Sequence, residues 1–323
     1  MNYLLGIIGS RYNTQWSPEE WIDNLKRIDK NNIIKGLELN LDLNNAEEIE
    51  YYKIVSQKAV DSGLEIQFHA PDLRHTPMDK ILEAYDYLGK SMDKDVHFTI
   101  HPYGGSINVE DDILETIRDF KTMKREIVEK NYKVDFSVEN LNYDKGIKRI
   151  NLDELDPILE SGNFKFCWDI GHSVFDGMNE HKLTETQLKS ISNIHLHDVN
   201  EITDHLPFVH GNVDLVKTMD YLKEIGYKKN VVVELRYEDL SGQHTDEKLV
   251  SFVNEIAKID DAKERRKCMS YMKCRYCGEL QHSHEVVEST EKYYRANGHS
   301  EYNYSEDDAI CPSCGIPMDQ GSY

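Results

Sequence analysis

The strongest constraint on this chain is a recurrence. Between Leu4 and Leu235 short runs rich in β-branched and apolar residues return at intervals: "LLGIIGS", "GLELNLDL", "LEIQFHAP", "VHFTIHP", "VDFSVEN", "FKFCWDIGH", "NIHLHD" and "VVVELRY", eight in all. Longer polar stretches separate them, among them "SPEEWIDNLKRIDKN", "MDKILEAYDYLGKSM" and "NVEDDILETIRDFKTMKREIVEKN". Their apolar residues fall near i, i+3, i+4 and i+7, often behind a capping Ser, Asn or Asp, the pattern of an amphipathic helix. Strands that alternate with helices pair in parallel, and closing such a sheet on itself removes its edges. The expected fold class is α/β, a (β/α)8 barrel over residues 1–258. An open doubly wound sheet is the rival, but it wants a Gly-rich phosphate turn after its first strand, and "GIIGSRYN" contains no G-x-G-x-x-G.

After Ile256 the pattern changes. "AKIDDAKERRKCMSYMK" is a charged connector, followed by "CRYCGE", an acidic Tyr-rich stretch and "CPSCGIP", so residues 259–323 form a linker and a small second module. Cys274, Cys277, Cys311 and Cys314 make two C-x-x-C-G knuckles, a spacing that fits a tetrahedral structural zinc in a zinc-ribbon or rubredoxin-like module. An iron site or a redox dithiol would use the same ligands. A segment this small has little core, so the metal would supply much of its folding free energy. Its acidity and its tyrosines favour contact with a protein, self-association or a lid over the barrel mouth.

The chain of 323 residues carries 38 Lys+Arg against 59 Asp+Glu, a net charge of −21. That balance argues against a long, sequence-independent grip on nucleic acid and against an anionic membrane surface. No apolar run approaches the roughly 20 residues of a membrane span. "MNYLLGIIGSRYN" lacks a charged n-region and a small-residue cleavage site, so it reads as a buried strand. Cysteines spaced for metal rather than for disulfides point to a reducing, cytoplasmic setting.

In a barrel of this kind the chemistry gathers where the strands end. The runs end in His69, His101, Glu139, Asp169 with His172, His195 and Glu234. A single strand-end histidine is explained by hydrogen bonding. Several imidazoles and carboxylates converging on one low-dielectric mouth would repel and lose solvation unless a divalent cation neutralised them. Mixed His and carboxylate ligation suits zinc, manganese, iron or cobalt. Asp169 is read as a direct ligand, and His172 as a second-site ligand or a substrate contact. Tyr103, Trp168 and Tyr237 stand beside strand ends, where they line the pocket or pack.

These residues resemble the xylose-isomerase-like TIM-barrel superfamily over roughly residues 3 to 256. That superfamily includes sugar and sugar-phosphate isomerases and epimerases and the endonuclease IV phosphoesterases. "VEN", "WDIGH", "HLHD" and "VVVEL" are similar to its strand-end motifs, which implies Glu139, Asp169, His195 and Glu234 as primary metal ligands. "DHLPFVHGNVD" is similar to a further segment of the family and brings in His205 or His210. The resemblance implies two chemistries. In the isomerases and epimerases Glu139 and Glu234 would flank a sugar and move a proton, with His172 on its oxygens. In the endonuclease IV branch His69, His101, His172 and His205 would add ligands for up to three ions. Arg11, Arg74, Arg236 and His210 are the candidate contacts for a phosphorylated substrate. The acidity of the chain and the shortness of its connectors favour a small sugar or sugar phosphate over a nucleic acid.

Overall fold

A computed structural model describes residues 1–8, 17, 20–29, 32–43, 46–106, 108–142, 149–178, 182–200, 203–206 and 211–236, and two short strands nearer the C-terminus. Strands and helices follow in the expected order: β1 (Asn2–Ile8), α1 (Glu20–Ile28), β2 (Ile34–Asn40), α2 (Ala46–Asp61), β3 (Glu65–His69), α3 (Met78–Met92), β4 (Val96–Ile100), α4 (Val109–Glu129) and β5 (Val134–Glu139). A 3₁₀ turn at Leu152–Glu154 leads into α5 (Asp156–Gly162), β6 (Lys165–Asp169), α6 (Ile170–Phe175), α7 (Glu185–Ser190), β7 (Ile191–Leu196), α8 (Leu215–Glu224) and β8 (Asn230–Arg236). The strands β1 to β8 form a closed barrel in sequence order. Closure is made by β1 against β8, with Leu4 opposite Val232 and Gly6 opposite Glu234.

Alternation along each strand decides which side chains enter the barrel. On β4, Val96, Phe98 and Ile100 are fully buried. Phe98 stacks on Tyr85 of α3 at 4.8 Å and on Phe136 of β5 at 5.7 Å, so this face meets the helices. The intervening residues point inward, where His97 Nε2 lies 3.0 Å from Ser137 Oγ. Residues paired across a parallel sheet share a face. The register therefore places Gly6, Glu38 and Gln67 on the inner wall together, and likewise Asp169 and His195. The interior is polar over much of its height, and that polar interior is the floor of the site.

Two backbone positions let the elements pack this closely. Gly36 on β2 has no room for a side chain, since a Cβ would stand 2.4 Å from the carbonyl oxygen of Glu65. Gly63, at φ +77°, turns the chain out of α2, a conformation that glycine adopts without steric cost. Among the described residues no helix is long and apolar enough to cross a membrane.

The chain divides into two compact units, Met1–Asp214 with Asp220–Glu255, and Leu215–Met219 with Ile256–Tyr323. In the second, β9 (Tyr271–Lys273) and β10 (Leu280–His282) pair antiparallel, with Lys273 opposite Leu280. The thiols of the expected zinc site, Cys274, Cys277, Cys311 and Cys314, lie outside the described residues.

At the opposite rim from the strand ends, Asp135 of β5 contacts Lys165 of β6 and lies 3.6 Å from His97 Nδ1 of β4. Burial pushes its carboxyl up, but His97 and Lys165 outweigh that and hold it at about 2. A depressed carboxyl contributes stability above its unfolded value and loses it as pH falls toward the folded one. Asp135 is 44% exposed, so screening holds the contribution below about 1 kcal/mol. Asp135→Asn should lower stability slightly at pH 7, and the difference from the parent should vanish between about pH 4 and 2. Urea unfolding across that range checks it; a difference that persists at pH 2 contradicts the assignment.

Candidate metal centre

The ends of β3 to β8 carry the ionisable residues to one mouth. His69 ends β3, His101 follows β4, Glu139 ends β5, Asp169 ends β6, His195 lies in β7 and Glu234 in β8. Asp169 also caps α6, its Oδ1 accepting the His172 N–H at 2.6 Å, which fixes His172 in the first turn beside it. His205 enters from the loop after β7 with φ +55°, in the left-handed region. Glu38, Glu139, Asp169 and Glu234 are each no more than 3% exposed. Carboxylates buried so deeply are tolerated only with compensating charge.

The contacts converge on Glu139. Its Oε2 lies 3.3 Å from His69 Nε2 and 3.1 Å from His195 Nδ1. Its Oε1 lies 3.4 Å from His172 Nδ1 and 3.5 Å from His101 Nε2. His195 Nδ1 is also 3.2 Å from Glu234 Oε1, and His205 Nε2 is 3.4 Å from Glu234 Oε2. Asp169 stands on the His172 side, 3.4 Å from His172 Nδ1 and 3.1 Å from His197 Nε2. Of the four primary ligands implied by resemblance, the structure gathers Glu139, His195 and Glu234 around one nitrogen. Asp169 stands in the adjoining group with His172, His197 and His205, and His172 Nδ1, 3.4 Å from both Glu139 and Asp169, links the two groups.

Two features fit this set to a cation. His195 Nδ1 is buried without a hydrogen-bond partner although two carboxylate oxygens stand 3.1 and 3.2 Å away. Ligand atoms around a tetrahedral zinc, each about 2.0–2.1 Å from the ion, are themselves about 3.3–3.4 Å apart. The second feature is the way the imidazoles are anchored. His69 Nδ1 donates to the Ala70 carbonyl at 3.0 Å and His195 Nε2 faces Glu38 at 3.0 Å. Such outer partners fix the tautomer and aim the other nitrogen at a metal. Among the described residues three combinations bring ligand atoms within reach of one ion: His69, Glu139 and His195; Glu38, His195 and Glu234; and Asp169, His172, His197 and His205.

In the metal-free protein the carboxylates favour protons on His69, His195 and His205 in the cation's place. Burial opposes charge on His69, but Glu139, Glu38 and Glu234 overcome it and hold the ring at about 9. Burial likewise opposes charge on His205, which Asp204 and Glu234 hold at about 10. His195 is driven well above its usual range against burial by Cys167, Glu234, Glu38 and Glu139. Burial would raise Glu139 and Glu234, yet the neighbouring imidazoles keep both well below the ordinary carboxylate range. Burial dominates at His172 and lowers it.

Glu38 and His197 escaped the sequence reading. Glu38 lies inside "GLELNLDL", at an inward position of β2, and its carboxylate accepts from Gln67 Nε2 at 2.5 Å as well as facing His195. His197 is the second histidine of "HLH", on the same side of the chain as His195. Arg74, a candidate phosphate contact, is bound by Asp72 at 2.5–3.1 Å and donates to Gly104 O at 2.6 Å. Trp168 is fully buried and donates to Ser173 Oγ at 3.0 Å, and Tyr103 donates to Asp119 at 2.9 Å, so both serve packing and local hydrogen bonding. Arg11, His210 and Tyr237 lie outside the described residues, as does the side chain of Arg236.

Residues 55–256 match the family described as xylose isomerase-like TIM barrel. The uncharacterized protein MJ1311 of Methanocaldococcus jannaschii is 31% identical over 123 residues, which span 36% of this chain and 42% of that protein. Among solved structures, a D-tagatose 3-epimerase-like protein covers 81% of this chain and 99% of its own, at 20% identity and TM-score 0.58. The IolI protein with a zinc atom covers 81% and 100% at 15% identity and TM-score 0.61. Endonuclease IV from Thermus thermophilus covers 80% and 98% at 12% identity and TM-score 0.53. At these identities the likeness to the structures is one of fold.

Raised imidazole values mean that lower pH keeps protons on the ligands and competes with metal, so apparent affinity should rise with pH up to about 9. At pH 8 binding of the first ion should release at least about one proton. Calorimetry of manganese binding in buffers of different ionisation enthalpy measures it. Binding with no proton release would show that these imidazoles are not the ligands.

Proposed function

The chain belongs to the xylose isomerase-like TIM-barrel family, and on that premise we propose that it is a divalent-metal-dependent isomerase or epimerase acting on a sugar or sugar phosphate. The observation that carries this reading is that Glu139 and Glu234 both reach His195 Nδ1, at 3.1 and 3.2 Å. Two buried carboxylates facing a common point are what proton removal from carbon and its return require.

Glu139, Asp169, His195 and Glu234 are the residues proposed to hold the primary ion, which would be zinc, manganese, iron or cobalt. When bound, it supplies Lewis acidity to the substrate's carbonyl and hydroxyl oxygens. Glu139, kept ionised by its imidazoles, takes the proton from the carbon beside the carbonyl. The electrons of the broken C–H bond pass into the carbonyl to give an enediolate. Return of that proton by Glu139 to the former carbonyl carbon, with the hydroxyl proton passing between the two oxygens, isomerises the sugar. Delivery of a proton to the opposite face of the original carbon by Glu234, which would first have to take one up from solvent, epimerises it, and Glu139 then gives up its own proton to solvent. His172, whose Nδ1 donates to Asn140 O at 3.0 Å, has its Nε2 left to accept from a substrate hydroxyl. The C-terminal cysteines are proposed to hold a structural zinc, and their module to contact a protein or a second copy of the chain.

A second reading draws support from one specific arrangement. His69 and His101 both face Glu139, and His172 and His205 stand in a second group with Asp169, enough donors for more than one ion. Two or three ions would favour phosphoester cleavage.

Metal-loaded protein incubated in D2O with a panel of ketoses and ketose phosphates should exchange deuterium into the carbon next to the carbonyl. Glu139→Gln and Glu234→Gln should each cut that exchange at least ~100-fold while keeping the fold. Mass spectrometry of the recovered sugar reads it. No exchange with any substrate, together with hydrolysis of bis-p-nitrophenyl phosphate, would replace this reading by the phosphoesterase one.

A further inference from the structure

One imidazole of the mouth is built unlike its neighbours. His69 and His172 each spend Nδ1 on a backbone carbonyl, which can only accept, and His195 spends Nε2 on Glu38, so in the neutral ring the lone pair of each falls on the second nitrogen, which at His69 and His195 faces Glu139 at 3.3 and 3.1 Å. His197 is anchored instead by a backbone donor. Its Nδ1 accepts the backbone N–H of His205 at 2.9 Å. The Asp198 carbonyl is 3.3 Å from the same atom, a longer contact that would need a hydrogen on Nδ1 and is incompatible with the first. With the Nδ1 lone pair so used, the hydrogen of the neutral ring is on Nε2. That nitrogen stands 3.1 Å from both Oδ1 and Oδ2 of Asp169. An Nε2 that bears hydrogen has no lone pair for a cation.

We infer that His197 is a positioning residue, an Nε2–H donor that aims the Asp169 carboxylate and, through Nδ1, fixes the backbone at His205. Two further observations point the same way. Gly171 lies against the ring, and a Cβ there would stand 2.1 Å from His197 Cε1, so the chain leaves out a side chain to admit this histidine. The His205 ring stacks on His197 at 3.9 Å and 16°, which supports a backbone held at φ +55°. The inference rests on Asp169 belonging to a metal centre and is independent of the sugar chemistry.

The test is titration of the full chain with Mn(II), free ion being read by electron paramagnetic resonance. Manganese prefers carboxylate and imidazole over thiolate, so the cysteines do not register. His197→Gln, whose amide can still donate to Asp169, should bind the same number of ions with less than ~10-fold weakening. His197→Phe fills the space but cannot donate, and should weaken binding ~10–100-fold at unchanged stoichiometry. Gly171→Ala, which keeps every donor but displaces the ring, should weaken binding comparably, and it carries the test if the Phe variant does not fold. Loss of one ion at saturation in His197→Gln would make His197 a ligand and overturn the inference. Unchanged affinity in both His197→Phe and Gly171→Ala would overturn it as well. A parent protein that binds no manganese would remove the metal reading and this inference together.

Discussion

The carboxylate of Glu139, buried against four imidazoles, is the interaction on which the rest of the site depends. His69, His101, His172 and His195 all approach it within 3.5 Å, from β3, the residue after β4, α6 and β7. No single pair of these groups would justify the desolvation of the others. Together they balance charge in a volume from which water is largely excluded, and a cation can take over that balance from the protons. The barrel makes this possible because closure brings strands far apart in sequence to one rim, while alternation sends only every second residue inward.

Around that centre the supports are mostly backbone. Asn140 clamps the Asp169 peptide from both sides, donating to its carbonyl at 2.9 Å and accepting its N–H at 2.8 Å. Asp198, 1% exposed, accepts the N–H groups of Val199, Gly211 and Val213 at 2.9, 2.6 and 3.0 Å. A Cβ at Gly211 would stand 2.2 Å from Asp198 Oδ1, so the loop after β7 closes on that carboxylate only because residue 211 has no side chain. His205 is presented from this braced loop, which lowers the entropy that a cation would otherwise have to overcome in ordering it.

Much of this was legible in the sequence because strand alternation and strand-end position are local signals. "VHFTIHP" already separates Val96, Phe98 and Ile100 from His97, Thr99 and His101, and the barrel confirms that division for the residues within β4. Other features depend on long-range register and could not be read. Glu38 acquires meaning only when β2 is placed beside β1 and β3, which puts it opposite Gly6 and Gln67. In "NIHLHD" the two histidines share a face, and nothing local distinguishes His195, whose nitrogens face carboxylates, from His197, whose Nδ1 accepts a backbone N–H. The conformation of His205 goes with its N–H bond to His197 Nδ1, eight residues away, and with the bracing of the same loop by Asp198, neither of which is written in its immediate neighbours. Arg74 reads as a free cation in the sequence, because nothing there marks Asp72, two residues earlier, as its partner.

That last pairing bears on what the mouth can accept. Arg74 joins the loops after β3 and β4, held by a carboxylate on one side and the Gly104 carbonyl on the other. A substrate phosphate would have to displace Asp72, an exchange of one anion for another with little net gain. Hydroxyl and carbonyl oxygens of a sugar make no such demand. They can be met by imidazole nitrogens and by a cation held among Glu139, His195 and Glu234, with the charge of the chain as a whole, −21, acting against a more anionic ligand at long range. Among the described residues, what the mouth gathers is imidazole nitrogens and the two glutamates, each within 3.2 Å of His195 Nδ1.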